Sequence, residues 1–221
     1  MSVVVGYVAT PEGMAALESA TAAARARSVP LIVILSERGH RMAALAAADI
    51  AAHLADADLA GARLVVSPLQ RTRESAAPVA AALGLEPIFD ERVIEPWNRF
   101  EGTVMRRALR DPRNWPLLRR PSLPSWGEPF ADIVGRMRAA IDEHAEAARG
   151  ADVIVVSHQL PIWMVHRAAT NQPLPHNPAN RRCALSSVTV VERHPATGLT
   201  EVDYREPAAS ELADAIDQGA V

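Results

Sequence analysis

A chain of 221 residues with 49% hydrophobic and 22% charged side chains is sized for one large α/β domain with a substantial core, and it leaves little room for extensive disorder. Its formal net charge of -3 gives no whole-molecule attraction to nucleic acid or an anionic membrane surface, so any anion site must be local. A single cysteine, Cys183, excludes an intramolecular disulfide framework and a cysteine metal cluster, and it fits a reducing compartment.

In chain order, Val3 to Tyr7 reads as a short apolar strand, with Thr10 as N-cap of an alanine-rich helix over about Glu12 to Arg27. The start MSVVVGYVATPEG lacks the basic region, apolar run and cleavage site of a secretory signal, and no stretch reaches the roughly 18 apolar residues of a membrane span. A soluble, cytoplasmic protein is expected. LIVIL, Leu31 to Leu35, is a second buried strand. Ser36 then caps a helix with Met42, Leu45, Ile50 and Leu54 on its apolar face, and Leu64 to Val66 is a third strand ending at Ser67-Pro68-Leu69. Another helix runs through Ala82 and closes at Gly84, and Leu85 to Phe89 reads as a short strand.

Periodicity is lost from Trp97 to Pro129, a stretch holding Arg99, Arg106, Arg107, Arg110, Arg113, Arg119 and Arg120. It reads equally as a lid over a phosphate site and as a solvated loop anchored by Trp115 and Trp126. Helix returns at Phe130, with Ile133, Val134, Met137 and Ile141 on one face and Gly150 at its C-terminal cap. VIVV, Val153 to Val156, is a buried parallel strand, and Pro161 marks the first turn of the next helix. Ile162, Trp163 and Met164 are assigned to helix packing. A hairpin turning at about His194 to Gly198 and an acidic tail complete the chain. Strands alternating with helices predict a three-layer α/β/α sandwich around a mostly parallel central sheet.

Chemistry gathers where strands end. His158 stands between a buried strand and a helix start, an edge where open α/β sheets bind ligands and where helix N–H groups favour anions. Arg71, in SPLQRTRES, and the acids of DERVIEPW, Asp90, Glu91 and Glu95, follow other strands to the same edge. Alone, each is more often structural or solvated. Together an arginine, a carboxyl group and a histidine suit phosphoryl chemistry: the arginine grips phosphate oxygens, and the carboxyl group protonates the leaving oxygen. His166, His176 and His194 have no metal-ligand spacing.

LSERGHRMA, VVSPLQRTRESA, LGLEPIFDERVIE and VIVVSHQLPIW together resemble the histidine phosphatase, or phosphoglycerate-mutase-like, superfamily over residues 35–207. The resemblance implies the phosphoglycerate-mutase-like form of the sandwich. It implies Arg71 as a phosphate-pocket arginine, Glu95 as proton donor, and His158 as the second pocket histidine, which stabilises the transferring phosphoryl group. Ser67, Arg71 and Gln159, the last through its backbone N–H, would bind substrate. It implies no cofactor and no metal, because arginine and histidine supply the positive charge. The expected partner is a small phosphorylated metabolite, with neither nucleic acid nor membrane; the oligomeric state is left open, a homodimer among the options.

The family's Arg-His-Gly triplet, whose histidine is the nucleophile at the end of the first strand, has no counterpart here. His40, in ERGH, is the substitute to consider, but LSERGHRMA matches the family's first-helix segment and puts His40 on a solvated helix turn. Residues 1–34 instead resemble the β-α-β start of universal stress proteins, as a fusion or a misassigned start would. The glycine-rich nucleotide motif of those proteins is absent, so nucleotide binding is not implied. The expected organisation is 1–34 stress-protein-like, 35–207 phosphatase-like and 208–221 an acidic tail, with the Leu31 to Leu35 strand available to fill the vacant place in the central sheet. Three functions follow: a phosphatase or phosphomutase working through a phosphohistidine, a catalytically silent phosphate-ligand binding or regulatory protein, and a stress-protein-like interaction module.

Overall fold

The computed structural model describes residues 3–7, 31–35, 37–97, 110–119, 127–177, 180–194 and 198–212. The expected Glu12 to Arg27 helix, the Thr10 and Ser36 caps, the Trp126 anchor and the arginines at 99, 106, 107 and 120 lie outside those residues.

The fold is mixed α/β. Strand β3 (Arg63–Val66) has β4 (Pro87–Phe89) on one side and β5 (Val153–Val156) on the other, all parallel. Leu64, Val65 and Val66 are fully buried, as expected of a central parallel strand. Successive side chains on a strand point to opposite faces, so these three residues build two cores. Leu64 and Val66 join Ala47 of helix α1 (Glu37–His53) and Ala76 and Val79 of α2 (Gln70–Leu83). Val65 joins Ile133, Met137 and Ala140 of α3 (Phe130–Ala148) and Trp163, Met164 and Val165 of α4 (Gln159–Ala169). Three layers result from one alternation.

Helix ends follow local chemistry. Gly84 closes α2 with φ 66, a left-handed conformation that glycine adopts without strain. Arg149, not Gly150, caps α3, and both residues have positive φ. In α4 the proline is harmless because Pro161 occupies the third helical position, where an N–H has no intrahelical partner.

Four expectations are corrected. The buried face of α1 is Met42, Ala43 and Ala47, with Leu45 38% exposed and Leu54 beyond the helix end. Strand β2 (Leu31–Leu35) does not fill the central sheet; it pairs in parallel with β1 (Val3–Tyr7) as a separate two-stranded sheet and lies against α2. Two strands close in sequence are usually neighbours, so β2 meets its backbone hydrogen bonds on β1. The stretch after Trp97 contains a 3-10 helix at Pro112–Arg119. Trp115, within it, is 57% exposed and is no buried anchor.

Strands β6 (Val188–His194) and β7 (Gly198–Arg205) form the hairpin, with a bulge between Val190 and Val191 and contacts to α4. A short helix α5 (Ala209–Leu212) follows. Among the described residues no helix is long and apolar enough to cross a membrane.

Candidate functional site

β3 and β5 end side by side, with Val66 opposite Val156. The chain leaves both strands at the same edge, and the next residues there are Ser67 and Ser157-His158. His158 is the N-cap residue of α4, in extended conformation, and its carbonyl accepts the first helical hydrogen bond, from the N–H of Ile162, at 3.1 Å. The backbone therefore fixes where the ring stands.

Both ring nitrogens of His158 are engaged. Arg71 Nη2, in the first turn of α2, lies 3.1 Å from Nδ1, and Ser67 Oγ lies 2.8 Å from Nε2. A guanidinium can only donate, so Nδ1 accepts and the Nε2–H donates to Ser67. Ser67 is fully buried and His158 is 7% exposed. Burial, then the positive charges of Arg71 and Arg136, push the His158 pKa down to about 3. The ring is neutral at physiological pH. Glu95 Oε2 stands 3.6 Å from the same Nδ1 and is about a quarter exposed. Hydroxyl, guanidinium, carboxyl group and imidazole thus converge, with one nitrogen facing both Arg71 and Glu95.

Of the three acids considered at this edge, only Glu95 turns toward His158. Asp90 caps the short 3-10 turn Glu91–Val93 by accepting from the Arg92 N–H at 2.8 Å, and it pairs with the Arg92 guanidinium. The hydrogen bonds from Arg92 come first among the causes that hold its carboxyl pKa down to about 2. Asp90 also accepts from His144 Nε2 at 3.0 Å, while Arg63 Nε donates to His144 Nδ1 at 3.2 Å. These contacts fix the start of the loop that carries Glu95. Glu91 is exposed.

Gln159 stands at the first position of α4, which puts its backbone N–H at the helix start. Its side chain turns to the 181–183 segment, where Nε2 donates to the Cys183 carbonyl at 2.9 Å. Arg73 is exposed, donates to the Pro68 carbonyl at 2.9 Å and lies over the Phe89 ring. His40 is exposed on α1, whereas His166 bonds Glu201 and His176 accepts from Arg181.

Two residues were not singled out from the sequence. Ser157 Oγ donates to the Val93 carbonyl at 2.7 Å, tying the Glu95 loop to the turn that holds His158. Arg136 on α3 donates to the Arg92 carbonyl at 2.5 Å and forks onto Glu128. The spacing of Glu128 and Arg136, eight residues apart across a helix start, was the available sign.

A family model described as the histidine phosphatase superfamily (branch 1) matches residues 22–202. Over 166 residues the chain is 44% identical to the protein named uncharacterized protein Rv0525 of Mycobacterium tuberculosis (strain ATCC 25618 / H37Rv), across 74% of this chain and 81% of that one. It is 30% identical over 141 residues to phosphoserine phosphatase 1 of Hydrogenobacter thermophilus, across 61% of this chain and 63% of the relative. Among solved structures, the mycobacterial glucosyl-3-phosphoglycerate phosphatase Rv2419c in complex with inorganic phosphate aligns with a TM-score of 0.59 and 23% identity, across 77% of this chain and 84% of that one. That last likeness is one of fold.

Proposed function

The chain belongs to the histidine phosphatase superfamily, and from that premise we propose that Ser67, Arg71, Glu95 and His158 form a pocket for the phosphoryl group of a small phosphorylated metabolite and serve phosphomonoester hydrolysis. The observation that carries this is the convergence of Arg71 and Glu95 on Nδ1 of a buried, neutral imidazole. Arg71 supplies a charge-assisted, bidentate grip on phosphoryl oxygens. The start of α4, with the Gln159 N–H, adds the partial positive charge of a helix N-terminus. Glu95 is placed to give its proton to the ester oxygen as the P–O bond breaks, so that an alcohol and not an alkoxide departs. By resemblance, the phosphoryl group passes to a histidine and then to water, with Glu95 taking the water's proton.

A second reading has a specific observation in its favour. All seven histidines lie among the described residues, and His158 is the only one bonded to Ser67 and Arg71. On this reading the pocket has no second imidazole to attack phosphorus, and it would bind a phosphorylated ligand without turning it over. Either way we expect a cytoplasmic setting and a small metabolite as ligand, with no nucleic acid. Titrating the full-length chain with inorganic phosphate and with phosphoserine, then assaying an aryl phosphate and trapping acid-labile phosphohistidine, separates the readings. Phosphate binding lost in Arg71→Ala supports the pocket, and no binding by the intact chain removes it. Turnover with a trapped phosphohistidine supports hydrolysis, whereas binding without turnover assigns the silent form.

A further inference from the structure

We propose that Arg136 is the positioning residue for Glu95, a role that rests on the pocket assignment above. Three observations place it there. Arg136 Nη1 donates to the Arg92 carbonyl at 2.5 Å, three residues before Glu95. Its Nε and Nη2 fork onto Glu128 at 2.8 and 2.9 Å, and the Glu128 N–H donates to the Trp97 carbonyl, two residues after Glu95, at 3.3 Å. One guanidinium thus braces both flanks of the loop that presents Glu95 to His158. The brace is rigidly mounted, because the neighbouring α3 residues Ile133 and Met137 are buried in the core and the Arg136 side chain is itself only 17% exposed. Its charge also bears on His158, where it is one of the causes of the lowered pKa.

The physical reason for such a device lies in the loop. Residues 94–97 carry no regular secondary structure, and a carboxyl group must be held to a fraction of an ångström to act on a leaving oxygen. Ser157 holds Val93 and Asp90 holds the N–H of Arg92, so the stretch leading to Glu95 is already pinned. Arg136 adds the pin on the far side, through Glu128.

Amide hydrogen exchange on the intact full-length chain tests this, with Arg136→Gln and Arg136→Lys. In Arg136→Gln, exchange across residues 91–97 is expected to speed up about 10-fold while the amides of β3 keep their protection. Arg136→Lys keeps the charge but loses the fork, so exchange at 91–97 rises less. The His158 ring, followed by its nitrogen shifts, is expected to titrate at higher pH in Arg136→Gln and to stay put in Arg136→Lys. Unchanged exchange at 91–97 in either folded variant overturns the role, as does acceleration spread evenly over the chain. If Arg136→Gln does not fold, Arg136→Lys alone decides by the same criterion. Failure of the intact chain to bind inorganic phosphate would remove the pocket and leave the exchange result standing as evidence on the brace, so the two failures are distinguishable.

Discussion

His158 and His166 stand about two turns apart along the same short helix and are almost equally buried, at 7% and 6% exposure, yet the partners of their rings differ. His158 faces the guanidinium of Arg71, the hydroxyl of Ser67 and the charge of Arg136. His166 bonds the buried carboxylate of Glu201, which also binds Arg182, and stacks on Trp163 at 4.5 Å between ring centroids. Around His166 the charges close on one another and tie α4 to β7. Around His158 one ring nitrogen is shared by Arg71 and the partly exposed Glu95 carboxyl group, at the strand-end edge proposed to receive an anion. Burial of a histidine says little about its role; what its ring nitrogens meet says much more.

Four experiments break or sharpen this contrast. The largest effect is expected from Glu201→Ala, which removes the largely buried carboxylate that binds both Arg182 and His166: about 3 kcal/mol of stability lost in urea denaturation. Phosphate affinity of the folded fraction should not change; if it fell in step, the two histidine sites would not be independent. Next, Arg71→Ala should weaken inorganic phosphate binding by about 10- to 100-fold in calorimetry, the equivalent of roughly 1.5–3 kcal/mol for charge-assisted hydrogen bonds. The denaturation midpoint should barely move.

The third is a pH effect. His158 has a folded-state pKa of about 3 against a usual 6.5, so between those values the unfolded chain binds the proton and the folded one does not. Stability should be full above pH 6.5 and fall on acidification toward pH 3, by up to about 1.4 kcal/mol per pH unit. Asp90, lowered from 3.8 to about 2, adds its own loss only below pH 3.8. His158→Asn should flatten the profile between pH 6.5 and 4, and an unchanged profile would place the acid sensitivity elsewhere. The smallest effect is expected from Ser67→Ala, which removes one hydrogen bond between neutral groups: about 1 kcal/mol of stability and a few-fold loss in phosphate affinity.

The strand ends were legible because their signals are local. Unbroken aliphatic runs stop at Ser67-Pro68 and Ser157-His158, and a helix opens within a few residues of each. Which acid of DERVIEPW turns inward was legible only through the family resemblance, which named Glu95, since Asp90 and Glu95 follow the same strand and differ in their side-chain hydrogen bonding. Leu45 misled because an alanine-rich helix offers more than one apolar stripe, and the one that packs is chosen by close approach to α2. Arg136 and Ser157 act on backbone carbonyls 44 and 64 residues away, and a carbonyl has no sequence identity to read. The β1–β2 pairing was hidden for a related reason. A strand's apolar run declares that it will be paired and is silent about its neighbour.

Val93 and Ser157, which clasp the pocket loop, are separated by 64 positions, and β3 pairs with β5 across a still wider gap, Leu64 opposite Ile154. At cellular synthesis rates of about 5–20 residues per second, roughly 5 to 18 s pass between the emergence of β3 and that of β5. Through that interval β3, the most deeply buried strand of the central sheet, waits on the nascent chain with one flank unzipped. Such a topology makes the partly made polypeptide a client for chaperones, and its vulnerability ends only when VIVV has left the ribosome.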